Sequence, residues 1–294
     1  MAAAAAGGEG NAGLSAASGL DAYFGLPFAW NPPATQEELR SAESALQMSW
    51  LPELEAMYRQ HNGASALATD WEEDRAERLE EDEDAAPAAP RLMSLEEVQD
   101  FYTGTNDFLI PEVRFFWTDD NSNYVGVYVG DILTGAVCFC SHDEQTEVAP
   151  IFRTLADFLV WVSIHPEEDL SYSELVPKLY PVLTAESEHL TEDWRNAQAL
   201  YAKVTNQGDA DSQTLAVAMN ITPPSYNQVL MSYLDSPDFY VAERAVNILG
   251  ARRYQPARTR IENLAVHGVS NAQSAAQWAL KRWSWCAPRS PGSL

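Results

Sequence analysis

Between residues 113 and 140 the apolar pattern has a period of two, and on either side of that stretch it has a period between three and four. Val113, Phe115 and Trp117 alternate, Tyr124, Gly126 and Tyr128 oppose Val125, Val127 and Val129, and Ala136 to Cys140 make a third run. Residues two apart on a strand face the same way, so this spacing predicts three strands. The joins, Thr118-Asp119-Asp120-Asn121-Ser122-Asn123 and Gly130-Asp131-Ile132-Leu133-Thr134-Gly135, are rich in turn-forming residues. Neither is long enough for a crossover helix, so the strands must meet as antiparallel hairpins. A meander with helical segments before and after it is an α+β unit.

The helical segments carry their own punctuation. Thr35 followed by Glu38 is the signature of a capping box, and Leu39, Ala42 and Leu46 continue at helical spacing. Pro52 suits a first helical turn, and Leu54, Met57 and Tyr58 form a short apolar face. That helix ends at Asn62-Gly63, where glycine accepts the left-handed conformation that closes a helix, and His61 beside it interacts favourably with the helix dipole. The structural reading of His61 is therefore favoured over a chemical one. Ser94 caps a helix running to about Tyr102, and Phe152, Leu155, Phe158, Leu159 and Val162 are expected on a closing helix.

After His165-Pro166 strand signals stop. Helical stretches follow to about Trp283, with breaks at 206–209, 222–224, 235–238 and Gly268. Ala245 and Leu249 recur 31 residues later as Ala276 and Leu280, a helical-repeat spacing. The expected layout is a disordered N-terminal segment at 1–20, an α+β domain at 21–165 with an acidic insertion at 70–90, an all-α domain at 166–284 and a flexible tail at 285–294. Between Asp70 and Asp84 the insertion holds ten acids and two arginines, the composition of a solvated segment.

Charge narrows the function classes. The formal net charge is −25, and it is segregated: from Glu243 to the end eight basic residues face two acidic ones, so this part is +6 and residues 1–242 are −31. A chain this acidic is unsuited to holding bare nucleic acid, which needs clustered Lys and Arg, and it suits a basic protein partner. No run approaches the ~20 apolar residues of a membrane span. Three cysteines do not make a disulfide framework, so a reducing, cytoplasmic setting is expected. The sequence holds no nucleophile elbow, phosphate-binding glycine loop or HExxH pattern, and no cofactor is expected.

The ordered series of pieces over roughly residues 35–165 resembles the SMI1/KNR4 family, or SUKH superfamily. It consists of a helix, then LPELEAMYRQHNG with Leu51, Pro52, Tyr58, Asn62 and Gly63 at the family's Leu-Pro, Tyr and Asn-Gly positions, then LMSLEEV, strands ending in AVCFCSHDE, and a closing helix with Thr154 to Leu159. The resemblance implies a SUKH-like antiparallel sheet with flanking helices and a non-enzymatic protein-binding module, most simply a bacterial immunity protein that neutralises a toxin. It also implies a rival role as a regulatory scaffold like the eukaryotic cell wall and signalling members. The later helices look like a degenerate HEAT-type repeat, a recognition architecture.

Candidate partner-binding residues are the acids Asp70, Glu72, Glu73 and Asp74 of the insertion, Asp119 and Asp120 of the first hairpin, and Asp143 and Glu144 after the last strand. The rival chemistry is a metal-dependent enzyme built on Cys138, Cys140 and His142, because residues two apart on a strand share a face. Against it, cysteine on a core strand acts as a small apolar group, and no fourth ligand is evident nearby. His142-Asp143-Glu144 reads better as a polar turn than as an acid-base pair. A calcium loop at 119–123 lacks the required glycine and closing glutamate. The oligomeric state is open at this level.

Overall fold

A computed structural model describes residues 16–66, 89–104, 112–120, 122–140, 148–166, 189–207 and 212–285. The chain is mixed α+β: an antiparallel sheet with flanking helices, followed by an all-helical region. The first part runs α1 (Ala16–Phe24), β1 (Phe28–Trp30), α2 (Gln36–Ala45), α3 (Pro52–Tyr58), β2 (Ala64–Ala66), β3 (Arg91–Leu92) and α4 (Leu95–Gly104). It continues through β4 (Val113–Thr118), β5 (Tyr124–Tyr128), β6 (Val137–Cys140), β7 (Pro150–Phe152) and α5 (Leu155–Ile164).

The five strands β3-β4-β5-β6-β7 neighbour one another in sequence order, all antiparallel, and β1 pairs with β2 as a separate two-stranded sheet. The meander over 113–140 is thus extended by one strand at each edge. Phe115 pairs with Gly126 and Trp117 with Val125, so Phe116 is an extra residue on β4. This bulge lets three consecutive aromatics bury in different directions. Phe115 meets Phe101 of α4 at 5.8 Å, Phe116 meets Tyr58 of α3 at 6.1 Å, and Trp117 meets Phe158 of α5 at 5.1 Å between ring centres. All three are fully buried, which anchors the sheet to helices on both sides.

Three local features differ from the sequence reading. Phe152 lies on β7 and not on the closing helix, which starts at Leu155 behind the Thr154 cap, whose hydroxyl accepts from the Asp157 N–H. β1 and β2 were not anticipated, since three-residue strands carry almost no periodic signal. α1 begins at Ala16, inside the stretch expected to be unstructured; it packs on α5, with Tyr23 wholly buried and its hydroxyl donating to the Pro90 carbonyl at 2.9 Å.

The helical region comprises α6 (Leu190–Gln207), α7 (Ser212–Ile221), α8 (Asn227–Met231), α9 (Phe239–Ala251), α10 (Arg258–His267) and α11 (Ser270–Trp285). Its breaks fall where Gly, Pro and Asp stand: Asp238 caps α9 through the Tyr240 N–H, and Gly268 follows α10. The two Ala-x-x-x-Leu copies lie on α9 and α11, which pack together with Ala245, Leu249 and Ala276 buried.

The apolar cluster built on the sheet continues past residue 166 into Ala197, Leu200, Val217, Ala218 and Ile221 of α6 and α7. A second cluster runs from Leu215 through α9 to Ala279. Ion pairs reinforce the seam: Arg153 meets the buried Asp193 at 2.5 Å, and Lys203 bridges Glu112 and Asp131 at 2.6 and 2.9 Å. No helix among the described residues is long and apolar enough to cross a membrane.

Candidate functional site

The segment from Leu51 to Gly63 builds a junction. Leu51 precedes the first turn of α3, Pro52 opens that turn, and Tyr58 at its end is fully buried with its hydroxyl donating to the Met93 carbonyl at 3.0 Å. The Asn62 N–H donates to the Pro32 carbonyl at 2.9 Å, and the Gly63 carbonyl accepts from the Asn31 N–H at 3.0 Å. Asn62 also accepts twice, through its carbonyl from the Asn31 side chain and through Oδ1 from the Leu95 N–H, each at 2.9 Å. The Asn62 side chain thus satisfies a free N–H at the start of α4, while its backbone N–H and carbonyl hold the segment that leads into α2.

Gly63 has φ +83°, and a β-carbon there would lie 2.4 Å from the Ser94 nitrogen. The position needs a residue with neither a left-handed penalty nor a side chain. His61 completes the junction: Nδ1 is 3.1 Å from the Asn31 carbonyl, and its ring sits 4.8 Å from Phe24 and 5.2 Å from Trp30. It is a half-buried packing residue, in accord with the structural reading.

Above this junction an open cleft of about 610 Å³ lies between the start of α2 and the exposed side of α4. Asn31, Thr35 and Glu38 form one wall, Glu96, Gln99 and Asp100 the other, with Asn62 between them. Its lining includes three acids and, among the described residues, no lysine or arginine. Two hydrogen bonds from Thr35 hold the Glu38 carboxyl below its usual pKa, so it stays ionised. Glu96 and Asp100 are exposed and one helical turn apart, which keeps their charges beside the same wall.

The acids singled out from the sequence are placed differently. Asp119 accepts from the Asn123 backbone N–H at 3.2 Å and side-chain amide at 2.7 Å, which closes the β4–β5 turn. Asp120 pairs with Arg91 at 2.7 Å, and Arg91 also pairs with Glu97 at 2.8 Å and donates to the Ala64 carbonyl. Burial opposes the charge on Arg91, but the two carboxylates outweigh it and hold its pKa above the usual value. Both hairpin acids therefore have local structural work. Asp70, Glu72, Glu73, Asp74, Asp143 and Glu144 lie outside the described residues. The sequence reading missed the gathering of Glu38, Glu96 and Asp100. Its one signal was the Glu-x-x-x-Asp spacing on the polar side of α4.

Cys138 and Cys140 lie on β6, and burial pushes both thiols up, Cys140 to about 11. Thiols in that state are protonated near neutrality and behave as core groups, whereas a metal would require thiolates. His142 lies outside the described residues, and among those described no cluster of three or more His, Cys, Asp or Glu is placed to hold a metal ion.

This arrangement of an Asn-Gly junction, a meander and a Thr-capped closing helix coincides with a family match. Residues 33–161 match the SMI1 / KNR4 family (SUKH-1). This segment is a SUKH-1 domain. It covers a little under half of the chain, and the match lies close to the 35–165 resemblance read from the sequence. No curated protein matches the chain. The Arg91 hub lies within the SUKH-1 domain, as do the cleft and the Asn62 junction apart from the contributions of Phe24, Trp30, Asn31 and Pro32, which stand just before it; α6 to α11 lie outside it.

Proposed function

We propose that the protein is a binding module whose SUKH-1 domain captures a basic protein partner at the acidic cleft beside Asn62. The observation that carries this reading is the cleft itself: a preformed concavity with three carboxylates around it, on a frame braced by the Asn62 and Gly63 contacts. A rigid frame limits the ordering cost of association, and a negative rim speeds encounter with a positive surface. Asp70, Glu72, Glu73 and Asp74 add to the acidic charge of residues 1–242 and are proposed as further contacts to the same partner. Asp119 and Asp120, engaged with Asn123 and Arg91, are secondary as contact residues, and Asp143 and Glu144 are proposed as contacts from the sequence alone.

Carried further, the reading is a SUKH-type immunity protein in the cytoplasm that neutralises a toxin by direct, non-enzymatic binding. A toxin that acts on nucleic acid must present a basic surface to phosphate, and an acidic inhibitor competes for that surface. The HEAT-like helices would extend the binding surface or recruit a second partner.

The test is affinity capture from the native cell with three baits: the intact chain, a Glu96→Gln/Asp100→Gln variant, and a variant with the acids of 70–84 neutralised. One basic protein bound by the intact chain, and lost from the cleft variant and in moderate salt, supports the proposal. Loss only from the 70–84 variant moves the contact to that segment. Several unrelated partners, insensitive to both changes, would favour the scaffold role and overturn the cleft as the contact.

A further inference from the structure

α11 has its small residues inward and a large one outward. Ala272, Ala275, Ala276 and Ala279 are buried, and Ala279 approaches α9 so closely that a β-carbon on Gly250 would lie 2.6 Å from it. Trp278, by contrast, is 58% exposed, with the Lys281 ammonium 4.6 Å from its ring centre and Arg282 exposed beside them in sequence. An exposed tryptophan with cations next to it is the residue combination that anchors interfaces. This face lies in the part of the chain that carries +6, whereas residues 1–242 carry −31.

The fold keeps that face away from the acidic cleft of its own chain. The cleft opens at the start of α4, just after the edge strand β3, whose Arg91 pairs with Thr118 at the far end of β4. The helical region attaches at the opposite edge, where α7 packs on β7, and at the opposite end of β4, where Lys203 meets Glu112. α9 packs on α7, and α11 packs on α9, one layer further out. Complementary charges carried by elements that attach at opposite edges of one sheet are satisfied between molecules, by a heterologous contact.

We propose that the Trp278–Lys281 face of α11 docks into the Glu38/Glu96/Asp100 cleft of a second copy, giving head-to-tail self-association. This rests on the cleft being the binding surface argued above. It adds a regulation: a copy seated in the cleft excludes the basic partner, so self-association and partner capture compete for one site. The net charge of −25 opposes association at long range, but at physiological ionic strength screening acts beyond about 8 Å and leaves the local contact attractive.

The test uses sedimentation velocity on the full chain across a concentration series. Two surface variants are compared, Trp278→Ala/Lys281→Glu and Glu96→Lys/Asp100→Lys, with Lys281→Gln and Glu96→Gln as milder forms should either fail to fold. The intact chain is expected to rise above its single-chain mass of 32.5 kDa with concentration and to fall back in high salt. Each variant alone should stay at the single-chain mass, and an equimolar mixture of the two should pair, because it retains one good face and one good cleft. An intact chain that remains at the single-chain mass, variants that still associate, or a mixture that does not pair would overturn the proposal. A synthetic Lys/Arg-rich peptide separates the two readings. If it binds the Trp278→Ala/Lys281→Glu variant and not the cleft variant while self-association is absent, the cleft stands and only the head-to-tail contact falls. If it binds neither, both fall.

Discussion

Replacing Gly63 with alanine isolates how much of the SUKH-1 frame depends on the approach of two backbone segments. Among the described residues, two glycines have left-handed backbones of nearly equal angle, Gly63 at φ +83° and Gly135 at φ +89°. A β-carbon at Gly135 meets nothing within 4 Å, whereas at Gly63 it falls 2.4 Å from the Ser94 nitrogen and 2.7 Å from the Met93 carbonyl carbon. Both substitutions carry the left-handed penalty of about 1–2 kcal/mol. Both also gain the same few tenths to about 1 kcal/mol from a less flexible unfolded chain. Only Gly63→Ala must push the 93–94 backbone away, an overpacking cost of roughly 1–3 kcal/mol. That displacement also pulls on the Asn62–Leu95 and Tyr58–Met93 hydrogen bonds. The expected difference between the variants is therefore about 1–3 kcal/mol, a sizeable part of a typical total of about 5–15. It is read as the difference in urea midpoint at unchanged slope, followed by tryptophan fluorescence and far-ultraviolet dichroism. Equal midpoints for the two variants would refute the claim that the close approach, and not the backbone angle alone, requires glycine at 63.

Three further outcomes are expected. Arg153→Gln removes the guanidinium that meets the Asp193 carboxylate, 1% exposed, and should cost about 3 kcal/mol in urea unfolding; a loss below about 1 kcal/mol would show that the Arg153–Asp193 pair adds little to this seam. Burial raises the pKa of Tyr23, Tyr58, Tyr102 and Tyr201 above the usual 10.0. Because the folded state favours the neutral phenols, their contribution is complete below pH 10 and is lost as pH rises beyond it, by up to about 1.4 kcal/mol per group per pH unit. The unfolding free energy should fall steeply above that point, and Tyr58→Phe should make the fall shallower; an unchanged slope would count against the buried-phenol account. Finally, Cys138 and Cys140 should resist alkylation near pH 8 in the native chain and react quickly in urea, as peptide mass mapping would report. Rapid native labelling of either would restore the case for reactive thiols on β6.

Local patterns announced most of the secondary structure. The Thr35–Glu38 capping box is present with both of its hydrogen bonds, and the breaks read at Asn206, Thr222, Asp235 and Gly268 lie at or beside helix ends. These signals are short-range: a cap, a proline or an aspartate acts within one turn of the backbone. β1, β2 and β7 were not legible because three residues give no period, and their pairing partners stand up to 38 residues away. Phe152 fitted a helical spacing as well as a strand end, and only the pairing of Val137 with Phe152 assigns it to the sheet.

The candidate site divides in the same way. The series Leu51, Pro52, Tyr58, Asn62 and Gly63 was readable as a unit, because each residue type suits a helix start, a helix face or a helix stop. That Asn62 also caps α4, 33 residues on, depends on where the meander folds back and has no local signature. The acids stand out by number in the sequence, but number says nothing of commitment. Asp120 belongs to Arg91 and Asp119 to its own turn, while Glu38, Glu96 and Asp100 come together in the cleft. Periodicity, caps and charge balance are properties of neighbouring residues, so the sequence alone determined the α+β class, the helical second part and the acidic character. Which carboxylates share a surface, and which face of α11 is left outward, are set by contacts between distant segments, and only the tertiary structure decided them.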